Sequence, residues 1–574
     1  MQSRREFLGQ AVILAGGLIL PAGVEAAAKA AAALSYDVVI YGGTSAAVTA
    51  AIQTARMGKS VAIVCPETHL GGMTTSGLGW TDTKQVAAIG GLAREFYHRI
   101  WLYYQNPEVW TRQERSSYLG LESQSGPAMD DKSQVMWTFE PHVAEGVMEK
   151  WLAEEKIAVH RGQSLNRKNG VVKQGARIVE IAATSGRRFR GKVFIDAGYE
   201  GDLMAAAGVR YRIGRDSAEE HDEPLNGIRF MVKGVDRYYN EDEYRGVDPY
   251  ITPGVPKSGF ISGIEGVFDG KEKLGQADHR LQSFNYRLCM TNDPGRRVYI
   301  SKPQNYDERL YEILFRLYAA GQTSSFSTQP MPNNKTDSNA KGAMSFDFIG
   351  GDSSLVGHWN YSEADDKTRR KIVAAHRNYQ QGLLWTLQNH PRIPPSVRDE
   401  MSKWGLDAEE FESNGHWPYQ LYVREARRMI GQTMVTQHHV QRKPGYDVAD
   451  SIGLGSYSLD SHIVRRVVVD GKIQNEGGFY VWWTTPYPIP YGAVTPKRAE
   501  ATNLLVPVTL SATHAAFGSF RMEPTYMILG QAAATAAALA IDRKSAVQDV
   551  DYTALSKRLA ADGQVLTARR PPAA

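Results

Sequence analysis

Four separated runs of residues carry types and spacings that could do chemistry. The first is Gly42-Gly43-Thr44-Ser45-Ala46-Ala47, between the apolar run Val38 to Ile40 and helix formers that extend to Met57. A glycine turn feeding a helix can hold a pyrophosphate, because free N–H groups and the helix dipole favour negative charge there. Against G-x-G-x-x-G, Gly42 takes the first position, Thr44 replaces the second glycine and Ala47 fits the relaxed third. An acid that binds a ribose hydroxyl should close the next strand, Val61 to Val64. Cys65 stands there instead, and Glu67 follows two residues later. The second run, Gly71-Gly72-Met73, opens a small-residue segment to Gly79 that lets backbone approach a bulky ligand or makes a tight loop. The third is an apolar strand from Val193 that ends in Asp196, Gly198, Glu200 and Asp202, acids and glycine at the carboxyl edge of an α/β sheet, where ligands bind. The fourth, Gly518-Ser519-Phe520-Arg521-Met522-Glu523-Pro524, opens an alanine-rich helix whose positive end can face a developing anion.

Positioning these runs requires a β-α-β unit near the N-terminus and a return to the same sheet near the C-terminus. Helices are expected at 90–104 and 140–155, with His142 in the first turn of the latter as a structural residue. Alternation from 157 to 192, with Asn169-Gly170 as a hairpin signal, reads as a small β-meander. Residues 213–484 read as a large insertion of mixed structure. Its polar segments include Arg424 and the run Asp450 to His462. His438 and His439 are adjacent, so their side chains diverge and cannot readily chelate one metal. His439, Asp460 and His462 could still converge in three dimensions.

The bulk properties narrow the class. A net charge of +4 over 574 residues gives no case for a nucleic-acid partner, and two cysteines give neither a disulfide framework nor a cysteine metal cluster. Arg4-Arg5 precedes the apolar run Ala11 to Leu20 and small residues suited to cleavage, the pattern of a twin-arginine signal peptide. That run is too short for a permanent membrane span. Residues 1–33 are therefore expected to direct export through the twin-arginine (Tat) machinery to the periplasm or beyond.

Several longer motifs add to this reading. They are GGTSAA at Gly42, HLGGMTTSGLGWTD at His69, FEPHVAE at Phe139, VFIDAGYEGDLMAAAG at Val193, VREARRMIG at Val423, DSIGLGSY at Asp450 and the run from Thr495 to Ala540. In this order they resemble the secreted bacterial branch of the FAD-dependent oxidoreductases, glutathione-reductase-like flavoproteins of which some carry a xanthan-lyase label. The resemblance implies an α/β, Rossmann-like FAD-binding domain of glutathione-reductase type, discontinuous in sequence. Its parts would be 34–212 and 485–545, with a mixed α+β substrate domain inserted at 213–484 and a C-terminal helix and tail at 546–574. It implies that Gly42 to Ala47 sit against the FAD pyrophosphate and that Gly71, Gly72 and Met73 face the flavin side. Asp196, Gly198, Glu200 and Asp202 would belong to the closing strand, and Gly518 to Glu523 would lie at the flavin pyrimidine edge. Cys65 occupies the place of the family's ribose-binding glutamate, which Glu67 could supply.

On that basis the expected reaction is hydride transfer from a small polar donor, a CH–OH compound such as a sugar or cyclic polyol, to flavin N5. Without a second dinucleotide fingerprint, reoxidation falls to a quinone, a cytochrome or oxygen. An alcohol donor needs a base, and His514 and His462 are the candidates. Arg424 and Arg521 could bind the donor or pair with Glu425 and Glu523. The aromatic residues Trp359, Trp417, Tyr419, Trp482 and Trp483 suit stacking on sugar faces. The alternatives are FAD-dependent oxidation of a C–N or C–C bond, and a secreted glycan-binding or lyase protein without redox chemistry.

Overall fold

Val38, Val39 and Ile40 have no accessible surface, as expected of a parallel strand covered on both faces. In the computed structural model, which describes residues 32–322, 325–349 and 357–568, they lie in the strand Leu34–Tyr41. On one side this strand pairs in parallel with Val61–Val64, which pairs in parallel with Ala158–His160. On the other it pairs in parallel with Arg188–Asp196, whose last residues pair in parallel with Leu504–Leu505. The C-terminal part of the chain thus returns to the N-terminal sheet. The early residues of Arg188–Asp196 also join an antiparallel meander with Arg177–Ala182 and Val171–Gln174. Asn169-Gly170 does not turn that hairpin. It closes a loop in which the Gly170 N–H donates to the Asn166 carbonyl, and the hairpin turns at Gly175, at φ 59°.

The helix Ser45–Arg56 follows the first strand, with the Thr44 hydroxyl accepting from the Ala47 N–H as its N-cap. Against it packs Glu523–Arg543, a helix whose run of alanines allows a close crossing. A Cβ on Gly530 would lie 2.3 Å from the Ala46 carbonyl oxygen, so only glycine permits this approach. Glu523–Arg543 is long and apolar enough to cross a membrane, yet 89% of its apolar window is buried within protein. It is a core helix.

A second core lies around Phe284, Leu288, Phe315 and Trp417. It holds an antiparallel sheet in the order Arg297–Val298, Gly405–Asp407, Leu288–Thr291, Lys335–Lys341, Ser325–Met331, and one face of the helix Asp366–Asn389. The segment 213–484 is divided between the two cores. Val435, Val440, Ile452, Leu459 and Phe479 pack in the core that also contains Val38 and Ala533. Of the expected signal segment 1–33, residues 1–31 lie outside the described residues.

Candidate functional site

The four runs singled out in the sequence meet around one carboxyl group. Glu523, buried at the first turn of its helix, accepts from Ser45 Oγ at 2.5 Å, from Thr74 Oγ1 at 2.8 Å and from Tyr199 Oη at 2.6 Å. Tyr199 Oη in turn accepts from the Met73 N–H at 2.9 Å. The first turn, the second glycine segment, the loop after the Asp196 strand and the last long helix are therefore joined. Burial raises the Glu523 carboxyl above its ordinary range, and the three hydroxyl donors partly offset that.

The backbone around the first turn is packed to its limit. Gly42 has φ 106° and a Cβ there would lie 2.5 Å from the Gly198 nitrogen, so neither conformation nor space admits a side chain. Thr44 Oγ1 donates to the Ala197 carbonyl, tying the turn to the end of Arg188–Asp196. Asp196 accepts from the N–H groups of Gly198 and Met204 and thereby shapes the next turn, and burial pushes its carboxyl up to about 7. Asp202 is neutralised by Arg369 at 2.6 Å and Arg427 at 2.8 Å, while Glu200 accepts from Tyr361 Oη.

Glu67 is half-buried as a residue, but its Oε2 is enclosed and has no hydrogen-bond partner. A Cβ on Gly43 would lie 3.0 Å from that oxygen. Burial, and then the charge of Glu200, push the Glu67 carboxyl up to about 7. Cys65 turns the other way. It packs in the core with Ile63 and its thiol reaches only the backbone carbonyls of Glu67 and His160, so it does not belong to the site. These residues fit a dinucleotide. The first N–H groups of the helix Ser45–Arg56 lack intrahelical acceptors, and an orphaned carboxylate oxygen lies beside the same turn, at the place of a ribose ligand.

Beyond Glu523 the site opens into a polar cavity of about 580 Å³. Its lining includes Asp82, Arg287, Tyr422, Asp460, His462 and Arg521. Arg521, two residues before Glu523, is held by Asp460 at 2.8 Å and by Tyr422 Oη at 2.9 Å. Arg287 pairs with Asp337 at 2.7 Å. Asp82 accepts from Gln124, and burial raises its carboxyl. His462 Nδ1 lies 2.6 Å from Asp347 Oδ2, and Asp347 Oδ1 is 2.9 Å from Arg424. Burial alone would raise Asp347, but Arg424 and His462 overcome it and hold the carboxylate well below its usual range. Burial and then Arg424 lower the His462 imidazole despite Asp347, so the ring is neutral at neutral pH. An ionised Asp347 fixes the proton on Nδ1 and leaves the Nε2 lone pair free.

The model of the FAD-dependent oxidoreductase family matches residues 37–559 of this chain. The chain belongs to that family. FAD is its cofactor, and the protein is an enzyme. Solved structures similar to it include OxyS anhydrotetracycline hydroxylase from Streptomyces rimosus, at 13% identity over 32% of this chain and 36% of that one, with a TM-score of 0.21. L-amino acid deaminase from Proteus vulgaris matches at 15% identity over 32% of this chain and 53% of its own, with a TM-score of 0.22. 3-Ketosteroid-Δ4-(5α)-dehydrogenase from Rhodococcus jostii RHA1 matches at 14% over 32% and 50%, with a TM-score of 0.19. The chain thus spans about half of these proteins or less.

The structure of the oxidoreductase separates the expected site residues. His462 and Arg521 line the cavity, whereas His514 and Arg424 stand behind it. Both ring nitrogens of His514 are engaged, Nδ1 with Glu425 at 2.7 Å and Nε2 with Ser461 Oγ at 3.2 Å, which makes it part of the packing between two elements. Arg424 pairs with Asp347 rather than Glu425, and Arg521 with Asp460 rather than Glu523. Gly518 and Ser519 lie inside the helix His514–Phe520 and pack against protein, where a Cβ on Gly518 would meet the Asp460 carbonyl at 2.4 Å and Ser519 Oγ donates to the Tyr457 carbonyl. His439, Asp460 and His462 have separate partners, Thr436, Arg521 and Asp347. Trp359 and Trp417 are core residues, Tyr419 stacks on His69, and Trp482 is exposed. Glu140, His142 and Glu410 bring ligand-type atoms within 4.8 Å of one another, but the Lys335 ammonium already stands among them, 2.9 Å from Glu140 and 2.7 Å from Glu410. Residues missed in the sequence are Tyr199, Asp82 and Asp347. The first two lie inside quoted motifs, while Asp347 lies in none.

Proposed function

We propose that this oxidoreductase oxidises a CH–OH group of a small polar donor held in the cavity beside Arg521, with His462 as the base. The observation that carries this reading is the His462–Asp347 pair. A neutral imidazole whose Nδ1 is locked at 2.6 Å presents Nε2 on the side of a polar cavity, as removal of a hydroxyl proton requires. When bound, FAD would supply the two-electron acceptor for the donor's C–H hydride, and His462 would take the hydroxyl proton on Nε2. Glu67 would accept from a ribose hydroxyl, the N-terminus of Ser45–Arg56 would face the pyrophosphate, and Gly71 to Met73 would border the isoalloxazine. Glu523 holds these segments in register. Arg521 and Arg287 orient donor oxygens, while Asp460 and Asp337 keep their guanidinium groups in place.

The glutathione-reductase type of the cofactor domain, the role of 213–484 as its substrate-binding insertion, export through the Tat machinery and reoxidation by a quinone, a cytochrome or oxygen belong to the same proposal. The parallel return of Leu504–Leu505 to the N-terminal sheet supports the first. Arg4-Arg5 with its apolar run supports export. Anaerobic mixing of the FAD-loaded enzyme with sugars, polyols, amines and hydroxy acids tests the reaction. Bleaching of the flavin band by an alcohol, lost in His462→Ala, is the expected result. Bleaching by amines alone would overturn it.

A further inference from the structure

Of the carboxylates that line the cavity, Asp347 is met by Arg424 and Asp460 by Arg521, Asp82 lies 3.9 Å from Arg287, and Glu243 accepts from Asn475. Around its edge the balance is different. Lys341 lines the cavity, and Lys84 donates to Gln124 Oε1, also a lining residue, at 3.2 Å. Arg237 directly precedes Tyr238, a further lining residue. Among the described residues none of these three cations has a carboxylate within ion-pair distance. Two of them converge: Lys84 Nζ lies 4.4 Å from the Trp482 ring centroid and the Arg237 guanidinium carbon also 4.4 Å. The indole is 49% exposed and lies against Tyr480, the Lys84 ammonium also lies over Tyr457, and both tyrosines line the cavity. Two like charges held against one ring repel each other, an anion close to either offsets that repulsion, and cation–π attraction keeps both side chains against the indole. Desolvation lowers the Lys84 ammonium from its ordinary value, while Asp82 and Asp460 oppose that shift and Arg237 adds to it.

We propose that Lys84 and Arg237, with Lys341, form a carboxylate-binding subsite at the mouth of the cavity, so that the donor is an anionic polyol such as a uronic acid. This rests on the alcohol-donor reading above. The carboxylate sits by Trp482 while the sugar ring, with its hydroxyl groups, occupies the cavity toward Arg521 and His462. Arg237 and Trp482 are exposed, so the subsite accepts a charged group without burying it fully.

Isothermal titration of the FAD-loaded protein with D-glucuronate and D-galacturonate, each against D-glucose and D-galactose, tests the subsite directly. Each acid should bind about tenfold or more tighter than its neutral counterpart, and the difference should shrink as salt is raised to roughly 0.3 M. Lys84→Met keeps the apolar stem on Trp482, and Arg237→Gln keeps a polar group. Each should weaken the acids about tenfold more than the neutral sugars, and Lys84→Glu/Arg237→Glu should abolish the preference. Equal binding of acid and neutral sugar, equal loss in the variants, or no binding of either acid would overturn the subsite. Salt-sensitive binding of an acid that is lost in the variants but never bleaches the flavin would keep the subsite and reject alcohol oxidation instead.

Discussion

Ser45 Oγ donates to Glu523 Oε2 at 2.5 Å, joining the first turn of the first helix to the first turn of the last long one across 478 positions of sequence. The contact is not a lone bond. The same carboxyl group takes Thr74 and Tyr199, so it joins the other three separated runs to its own.

We predict that Glu523→Gln leaves at least one of these three hydroxyls without its acceptor, since an amide offers a single oxygen. The expected cost is about 1–3 kcal/mol of stability. Denaturant unfolding of the FAD-free protein measures it, and the variant should also release flavin faster on dilution. Unchanged stability and flavin retention would remove Glu523 from its joining role.

The two histidines should behave in opposite ways. His462→Ala and Asp347→Asn are expected to lower kcat about 10²- to 10⁴-fold, the range of a lost base or of its misdirected tautomer. His462→Ala should change the thermal midpoint little, whereas Asp347→Asn should also lower it, because the buried Arg424 loses its carboxylate. His514→Ala, which takes one of three partners from the buried Glu425 carboxylate and leaves it Arg428 and Gln282, should act mainly on stability. Rate and melting measurements on the three variants decide between base and packing residue.

Because burial and Arg424 lower the His462 imidazole, the base stays unprotonated below the ordinary imidazole value of 6.5. We therefore expect kcat/KM to hold constant as pH falls through 6.5 and to decline only further into acid. A decline centred at or above 6.5 would show that another group carries the limb.

Glu67 gives a pH effect of the other kind. Its carboxyl is raised from 4.5 to about 7 in the folded protein, so folding takes up a proton there. The stability this provides is full below 4.5 and is lost as pH rises through about 7. Glu67→Gln should make the FAD-free protein more stable than wild type at pH values above that window, and the gap should close below it. The same variant should bind FAD about tenfold more weakly, because an amide offers a ribose one neutral acceptor oxygen where the carboxylate offers two. A stability difference without pH dependence would contradict this placement.

The local grammar of the chain was legible. Glycines at 42, 43, 71 and 72, the acids after Val193 and the proline-led alanine helix all marked segments that the fold brings together. What was not legible came from distance and from packing direction. Asp347 orients His462 from 115 positions away and sits in a run, Met344 to Ile349, that reads as core. Cys65 stood where a ribose ligand was expected, but strand alternation sends it to the same side as Ile63, into the core, and the unpartnered carboxylate oxygen near the turn is that of Glu67. Gly518 resembled a cofactor glycine because close approach to backbone and close approach to a ligand demand the same residue. Only the Asp460 carbonyl beside it tells them apart.

The return of Leu504–Leu505 to the N-terminal sheet, together with the seating of Gly530 on Ala46, also sets an order of events during synthesis. A nascent chain that has left the ribosome only as far as its first βαβ unit owns the phosphate turn but neither the closing strand nor the helix that braces it. We therefore expect cofactor capture to wait until translation has passed Arg543, and chains truncated earlier to fail to retain flavin, whatever part of the donor cavity they have already made.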